Sequence, residues 1–269
     1  MKMNIERISK NKLQGYYFMP ENAEELKNGI VITFGGSEGS SWINMGKSIA
    51  DLGYRVLSLY YFGRPHLSRG LDLIDLNFFQ DVLSFINKLE NKSPITLVGA
   101  SRGAEMSLIL TNYFPEINNL ILFSPSSFVF PGNKNRSAWT YNGNEIQATH
   151  FSTKSKIKKI IHRNLSWPDF FRKEFKTNKQ AISIDISNFS GNLLTFSGSD
   201  DQVWHSAEMA RLIEKASIKA QSVSCYEFEE AGHIFSNGLN NGGTFDGNAF
   251  AFYKSIQIMD KSLETWHSN

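Results

Sequence analysis

The stretch Ile95-Thr96-Leu97-Val98-Gly99-Ala100-Ser101-Arg102-Gly103-Ala104-Glu105-Met106 is the one on which the fold turns. Its first four residues are an apolar, partly β-branched run of the kind that fills a buried strand. From Ala104 to Leu110 the pattern is helical. Between the two lies Gly-x-Ser-x-Gly. A strand that reverses into a helix over so few residues has room only for small side chains two positions either side of the serine. The serine hydroxyl is thereby pushed out of the sheet, and the helix N-terminus behind it presents N–H groups and a partial positive charge. A serine hydroxyl is a weak nucleophile until a base takes its proton, and that base needs an acid to orient it.

Candidates for both partners lie downstream, in the order Ser, Asp, His. The apolar run Asn192–Phe196 ends in Ser197-Gly198-Ser199-Asp200-Asp201, and Ser222–Phe228 is followed by Glu230-Ala231-Gly232-His233. Each candidate thus sits just past the C-terminal end of a predicted strand, where open α/β sheets bind ligands. The spacing Gly-x-x-Asp leaves Gly198 to make the turn and selects Asp201, with Asp200 as a turn or capping residue. Five other histidines, His66, His150, His162, His205 and His267, do not follow a strand-like run in the final third of the chain. A second Gly-x-Ser-x-Gly, Gly35-Gly36-Ser37-Glu38-Gly39, follows the run Ile30–Phe34 and makes Ser37 a rival nucleophile. It stands early in the chain for that role. Its backbone suits another use, an oxyanion hole in which the N–H of Gly36 or Ser37 works with the N–H of Arg102.

These residues resemble the α/β-hydrolases of the dienelactone-hydrolase-like type. More closely, the chain resembles the catalytic domain of the acyl-CoA thioesterase and bile acid-CoA:amino acid N-acyltransferase family. The matching pieces are Phe34–Gly39, Gly99–Glu105, Gly198-Ser199-Asp200-Asp201-Gln202-Val203-Trp204 and Ala231-Gly232-His233. The resemblance spans roughly residues 14–265. It implies a triad of Ser101, Asp201 and His233. Serine at the nucleophile position goes with thioester hydrolysis in that family, whereas its amino-acid-conjugating members use cysteine. Larger members carry a further N-terminal β-sandwich, for which 269 residues leave no room.

Composition fits one domain with an insertion. The chain is 41% hydrophobic and carries 21 Phe, enough for a large core. Cys225 is the sole cysteine, so no intramolecular disulfide forms; within a predicted strand it reads as a small buried hydrophobe. No metal-binding spacing and no cofactor fingerprint occurs. The start of the chain is polar, without the apolar core of a signal peptide, and no apolar run is long enough to span a bilayer. The expectation is a cytoplasmic protein that engages neither membrane nor nucleic acid. Nothing in the sequence reads as a subunit interface.

Strand-like runs fall at 13–18, 30–34, 55–60, 95–98, 120–123, 193–196 and 222–228. Helical patterns fall between them, the clearest from Leu71 to Leu89 with Leu71, Ile74, Phe78, Val82, Phe85 and Leu89 on one stripe. Two more run from Ala207 to Ile218 and from Ala249 to Trp266. The alternation predicts an α/β-hydrolase fold: a mostly parallel sheet covered by helices on both faces, with the first strands antiparallel. It breaks at about 125–190, which reads as a cap over the site, rich in aromatics such as Trp139, Tyr141, Trp167, Phe170 and Phe171. Between Lys134 and Lys179 there are eleven Lys or Arg against three Asp or Glu, in a chain of formal net charge +2. That segment is either a rim for an anionic substrate or a solvated face bearing Lys154, Lys156, Lys158 and Lys159.

Three further side chains each have two readings. Arg102 either binds a substrate anion or pairs with an acid at the surface. Glu105 either tunes the site or hydrogen-bonds a neighbouring loop. Trp204 either lines the pocket or packs under the acid loop. The expected function is hydrolysis of an acyl thioester or carboxylic ester through an acyl-enzyme on Ser101. Acyl transfer to an amine or hydroxyl, and a hydrolase-fold binding protein without turnover, are the alternatives.

Overall fold

The computed structural model describes residues 2–21, 26–134, 136–151, 166–178, 181–238 and 240–268. The chain opens with β1 (Met3–Lys10), β2 (Leu13–Pro20) and β3 (Ile30–Phe34), then α1 (Ile43–Ala50), β4 (Arg55–Leu59) and a short β5 (Ile74–Asp75). Next come α2 (Phe78–Ile86), β6 (Ile95–Ala100), α3 (Arg102–Leu110), β7 (Ile117–Phe123) and two short strands, β8 (Trp139–Tyr141) and β9 (Asn144–Glu145). The last part holds α4 (Trp167–Thr177), β10 (Asn192–Gly198), α5 (Ser206–Ala216), β11 (Ser222–Phe228) and α6 (Phe245–Trp266).

Eight strands form the main sheet in the order β1-β2-β4-β3-β6-β7-β10-β11. The β1–β2 and β2–β4 pairs are antiparallel and every later pair is parallel, as expected for an α/β-hydrolase fold. The central strands β3, β4 and β6 are buried along their whole length, which is why they read as unbroken apolar runs. Alternate residues feed two cores. Ile30, Ile32 and Phe34 pack with α2, α3 and Ile213 of α5; Val31, Val56 and Val98 pack with α1 and α6.

The structure departs from or adds to the sequence pattern at three places. The polar start of the chain forms β1, a sheet edge paired with β2 from Met3↔Pro20 to Lys10↔Leu13. An edge strand needs backbone partners on one side only, and charged side chains suit it. Residues 71–89 are not one helix. The stretch bends at Leu73, with φ of 47°, pairs Ile74 and Asp75 with β8, and only then starts α2. The Asp75 carboxylate accepts the Asn77 N–H at 3.0 Å, a local bond that competes with helix. Leu71 and Ile74 are still buried, in the same core as Phe78 and Val82 of α2. Cys225 is half-buried on β11, the far edge, rather than sealed in the core.

The segment after β7 contributes β8, β9 and α4, none of which joins the main sheet. Lys154, Lys156, Lys158, Lys159 and His162 lie outside the described residues. No helix among the described residues is long and apolar enough to cross a membrane.

Candidate active site

Ser101 lies between the last residue of β6 and the first of α3, with φ 53° and ψ −115°. A non-glycine residue in that region costs on the order of 1–3 kcal/mol and persists only where the surroundings enforce it. Two glycines allow the enforcement. A Cβ on Gly99 would lie 2.5 Å from the Gly103 carbonyl oxygen, and one on Gly103 would lie 2.2 Å from that of Gly35. The spacing of the motif is therefore a packing requirement: strand, helix and the β3–α1 loop touch through bare backbone. The Ser101 N–H donates to the Phe123 carbonyl at 2.9 Å, tying the turn to β7.

The ends of β10 and β11 bring the other two candidates to the serine. His233 Nε2 is 2.9 Å from Ser101 Oγ, and Nδ1 is 2.9 Å from Asp201 Oδ2 and 3.1 Å from Oδ1. A carboxylate only accepts, so Nδ1 carries the hydrogen and Nε2 accepts from the serine hydroxyl. All three residues are buried, at 5–6% exposure, so the chain of bonds is shielded from competing water. Asp201 Oδ1 also accepts the N–H groups of Val203 and Trp204 at 2.9 and 3.2 Å, which fixes the carboxylate. The histidine is fixed by its own N–H, which donates to the Asn241 carbonyl at 2.7 Å. The ring of Trp204 meets His233 edge-on at 5.0 Å, and its Nε1–H reaches the Ser124 carbonyl at 3.2 Å. Both readings of Trp204 therefore hold: it packs beneath the acid loop and lines the cavity.

The rivals sit elsewhere. Asp200 accepts from the Gly243 N–H at 2.8 Å and from the Gln202 amide, a turn role. His205 faces Asp169 at 3.2 Å. His267 bridges the Asn28 carbonyl and Thr96 Oγ1 deep in the fold, each at 2.8 Å. Ser37 lines the cavity but meets no histidine among the described residues.

Of the two expected donors on the β3–α1 loop, Gly36 is already engaged. Its N–H donates to Glu38 Oε1 at 2.9 Å. Tyr61 holds the same loop from below, its hydroxyl donating to the Gly36 carbonyl at 2.6 Å. The Ser37 N–H carries no such bond among the described residues. The Arg102 N–H is the first of α3, which the helix cannot satisfy.

The Arg102 side chain departs from both of its readings. It pairs with an acid, but a buried one. Its Nη1 lies 3.2 Å from Glu105 Oε2, and its Nη2–H donates to the Phe130 carbonyl at 3.1 Å. Glu105 hydrogen-bonds a neighbouring segment, accepting the Trp139 Nε1–H at 2.7 Å and the Phe130 N–H at 3.1 Å. Burial pushes its carboxyl up to about 7, against the pull of the Arg102 guanidinium.

These groups open into a cavity of about 470 Å³, a size suited to a small-molecule ligand. Beyond the expected residues its lining includes Glu38, Phe130, Val203, Ile234 and Asn241. Phe130 stacks on Trp204 at 4.9 Å and belongs to an aromatic cluster with Phe151, Phe171 and Phe175. Phe130 had a weak signal in Phe128-Val129-Phe130 after Pro125. Asn241 and Ile234 had none.

A family model described as "BAAT / Acyl-CoA thioester hydrolase C terminal" matches residues 74–237, which include Ser101, Asp201 and His233. Acyl-coenzyme A thioesterase 3 of Mus musculus is 20% identical over 233 residues, covering 84% of this chain and 51% of that protein. Bile acid-CoA:amino acid N-acyltransferase of Homo sapiens is 24% identical over 126 residues, 46% of this chain and 30% of that protein. The chain thus spans about half or less of the length of the curated relatives it matches. Among solved structures, the esterase PF2001 of Pyrococcus furiosus has a TM-score of 0.63 at 13% identity, covering 99% of this chain and 92% of that one. Est1E of Butyrivibrio proteoclasticus, solved with ferulic acid bound, has a TM-score of 0.53 at 16% identity, covering 92% of this chain and 96% of that one. Both share the fold.

Proposed function

The chain belongs to the BAAT / acyl-CoA thioester hydrolase C-terminal family, and from that premise and the site geometry we propose that it is a serine hydrolase of acyl thioesters or carboxylic esters. The observation that carries the reading is the bonded series Asp201–His233–Ser101 at the floor of the cavity. Ser101 Oγ attacks the acyl carbonyl carbon while His233 Nε2 takes its proton. Asp201 stabilises the resulting imidazolium and holds the ring. The oxyanion rests on the N–H groups of Arg102 and Ser37; loss of one such donor typically costs about 3 kcal/mol of transition-state stabilisation. The carbon–sulfur or carbon–oxygen bond then breaks, and the leaving group departs with the proton from Nε2. Water, deprotonated in turn by Nε2, attacks the acyl carbonyl; the carbon–Oγ bond breaks, the free acid leaves, and Nε2 returns the proton to Ser101 Oγ.

In the same reading, residues 125–190 cap the site, since Phe130 and Phe171 reach its lining. Labelling with a fluorophosphonate followed by peptide mapping should place the adduct on Ser101 and be lost in Ser101→Ala. An adduct on Ser37 that survives Ser101→Ala would overturn the assignment. Hydrolysis is favoured over acyl transfer because a serine stands at the elbow. With an acyl-CoA substrate and glycine or taurine in excess, the product should be mainly free acid; mainly amide would establish the transferase reading instead.

A further inference from the structure

Among the described residues, Glu38 is the one acidic side chain in the cavity lining that the reaction above leaves unused. Its Oε1 is committed, accepting the Gly36 N–H at 2.9 Å and the Ser40 hydroxyl at 2.6 Å. Its Oε2 has no hydrogen-bond or ion-pair partner among the described residues. Among the described residues the cavity offers no free Lys or Arg to answer it: the Arg102 guanidinium meets Glu105 and the Phe130 carbonyl and lies 5.6 and 5.4 Å from the rings of Phe130 and Trp139. The position of Oε2 relative to the nucleophile can be read through Gly36. A Cβ built there would be 2.7 Å from Glu38 Oε2 and 3.3 Å from Ser101 Cβ. The carboxylate is therefore about one side-chain width from the reacting serine, on the side of the loop that supplies an oxyanion donor.

We propose that Glu38 is a specificity-determining residue. On this assignment, which rests on the serine-hydrolase reading, the site favours acyl groups with a cationic or hydrogen-bond-donating substituent near the carbonyl and disfavours acyl groups with a second carboxylate.

Oε1, bonded to Gly36 N–H and Ser40, cannot swing away without releasing the loop, so the charge is held in place. A fixed negative charge so close to a forming oxyanion raises the barrier; Glu38 is exposed, so water and salt weaken this repulsion without removing it at short range. A substrate that brings its own positive group to Oε2 removes that repulsion as the oxyanion develops. The gain is larger in the transition state than in the ground state, so it enters kcat as well as KM.

The test compares p-nitrophenyl esters of three acids of similar length: valeric acid, glutaric acid as its monoester, and 4-(trimethylammonio)butanoic acid, with uncatalysed hydrolysis subtracted. Wild type should order them cationic, neutral, anionic in kcat/KM, with about tenfold or more between the extremes. Glu38→Gln retains an oxygen to accept the Gly36 N–H and removes the charge, so it should compress that ratio toward unity. The absence of the order in wild type, or its persistence unchanged in Glu38→Gln, defeats the proposal. A separate control guards its premise. If Ser101→Ala hydrolyses the neutral valerate as well as wild type does, the serine-hydrolase reading itself has failed and this inference goes with it.

Discussion

At the scale of single residues, the choice between two adjacent aspartates is the sharpest structural distinction in the site. Asp201 bonds the Nδ1 of His233 with both oxygens, whereas Asp200 faces the opposite way into the Gly243 turn. The two should therefore respond very differently to the same change. An asparagine at 201 can donate to Nδ1, which leaves the hydrogen on Nε2, where it cannot accept the proton of Ser101. Asp201→Asn should lower kcat by about 10²–10⁴-fold, the range typical of a general base put out of action. Asp200→Asn, which retains one acceptor oxygen for the turn, should keep most of the activity. Steady-state kinetics on the two variants, with circular dichroism to show that both fold, decides the matter; a dead Asp200→Asn beside an active Asp201→Asn would reverse the roles.

At the scale of elements, Glu105 joins α3 to β8 and to the segment entering the cap region, through the Trp139 indole and the Phe130 N–H. Its carboxyl is pushed up to about 7 chiefly by burial. An acid whose pKa is higher in the folded than in the unfolded state favours folding when protonated. That contribution is fully present below the unfolded value near 4.5 and is lost as pH rises toward 7. The stability of wild type relative to Glu105→Gln should therefore fall across pH 4 to 8, by on the order of 3 kcal/mol. Urea unfolding of both proteins across that range measures it; a difference that stays level or rises would mean that the Arg102 pair outweighs burial. The same pair shows what sequence could and could not reveal. The inner strands of the main sheet were legible because burial on both faces demands unbroken apolar runs, whereas the polar edge strand β1 was not, and Ser101, Asp201 and His233 stood out as candidates because tight loops after strands demand glycine. The small sheet was not, since β5 and β8 are two and three residues long and lie 63 residues apart at closest. For the same reason a helical spacing of apolar residues at 71–89 concealed a strand and a bend. Nor could sequence foresee that Arg102 and Glu105 neutralise each other in the interior, because exposure is settled by what covers a helix.

At the scale of the whole molecule, charge is unevenly distributed, and the described part of the basic segment shows where some of it goes. Arg172 and Lys176 of α4 meet Glu208 of α5 at 2.7 and 3.3 Å, and Arg172 also lies 3.7 Å from Asp169. Those two cations dock one helix on another and share the carboxylates of Glu208 and Asp169. Four lysines at 154, 156, 158 and 159 fall outside the described residues, so their part rests on sequence. If the segment caps the site, as proposed, its surplus positive charge acts on the outer, polyanionic end of a CoA ester, while Glu38 acts at the carbonyl. Attraction between exposed charges is screened beyond about 8 Å at physiological ionic strength. The kcat/KM for a CoA thioester should then fall as salt is raised from low to physiological levels, and that for a neutral thioester of the same acyl group should change much less. Replacing Lys156, Lys158 and Lys159 together by Gln should raise KM for the CoA ester by several-fold and leave the neutral one near its original value. Parallel salt responses for the two substrates, with no effect of the triple change, would make the lysines a solvated face. The preferred leaving group would then be neutral, and selectivity would reside in the aromatic cavity and Glu38 alone.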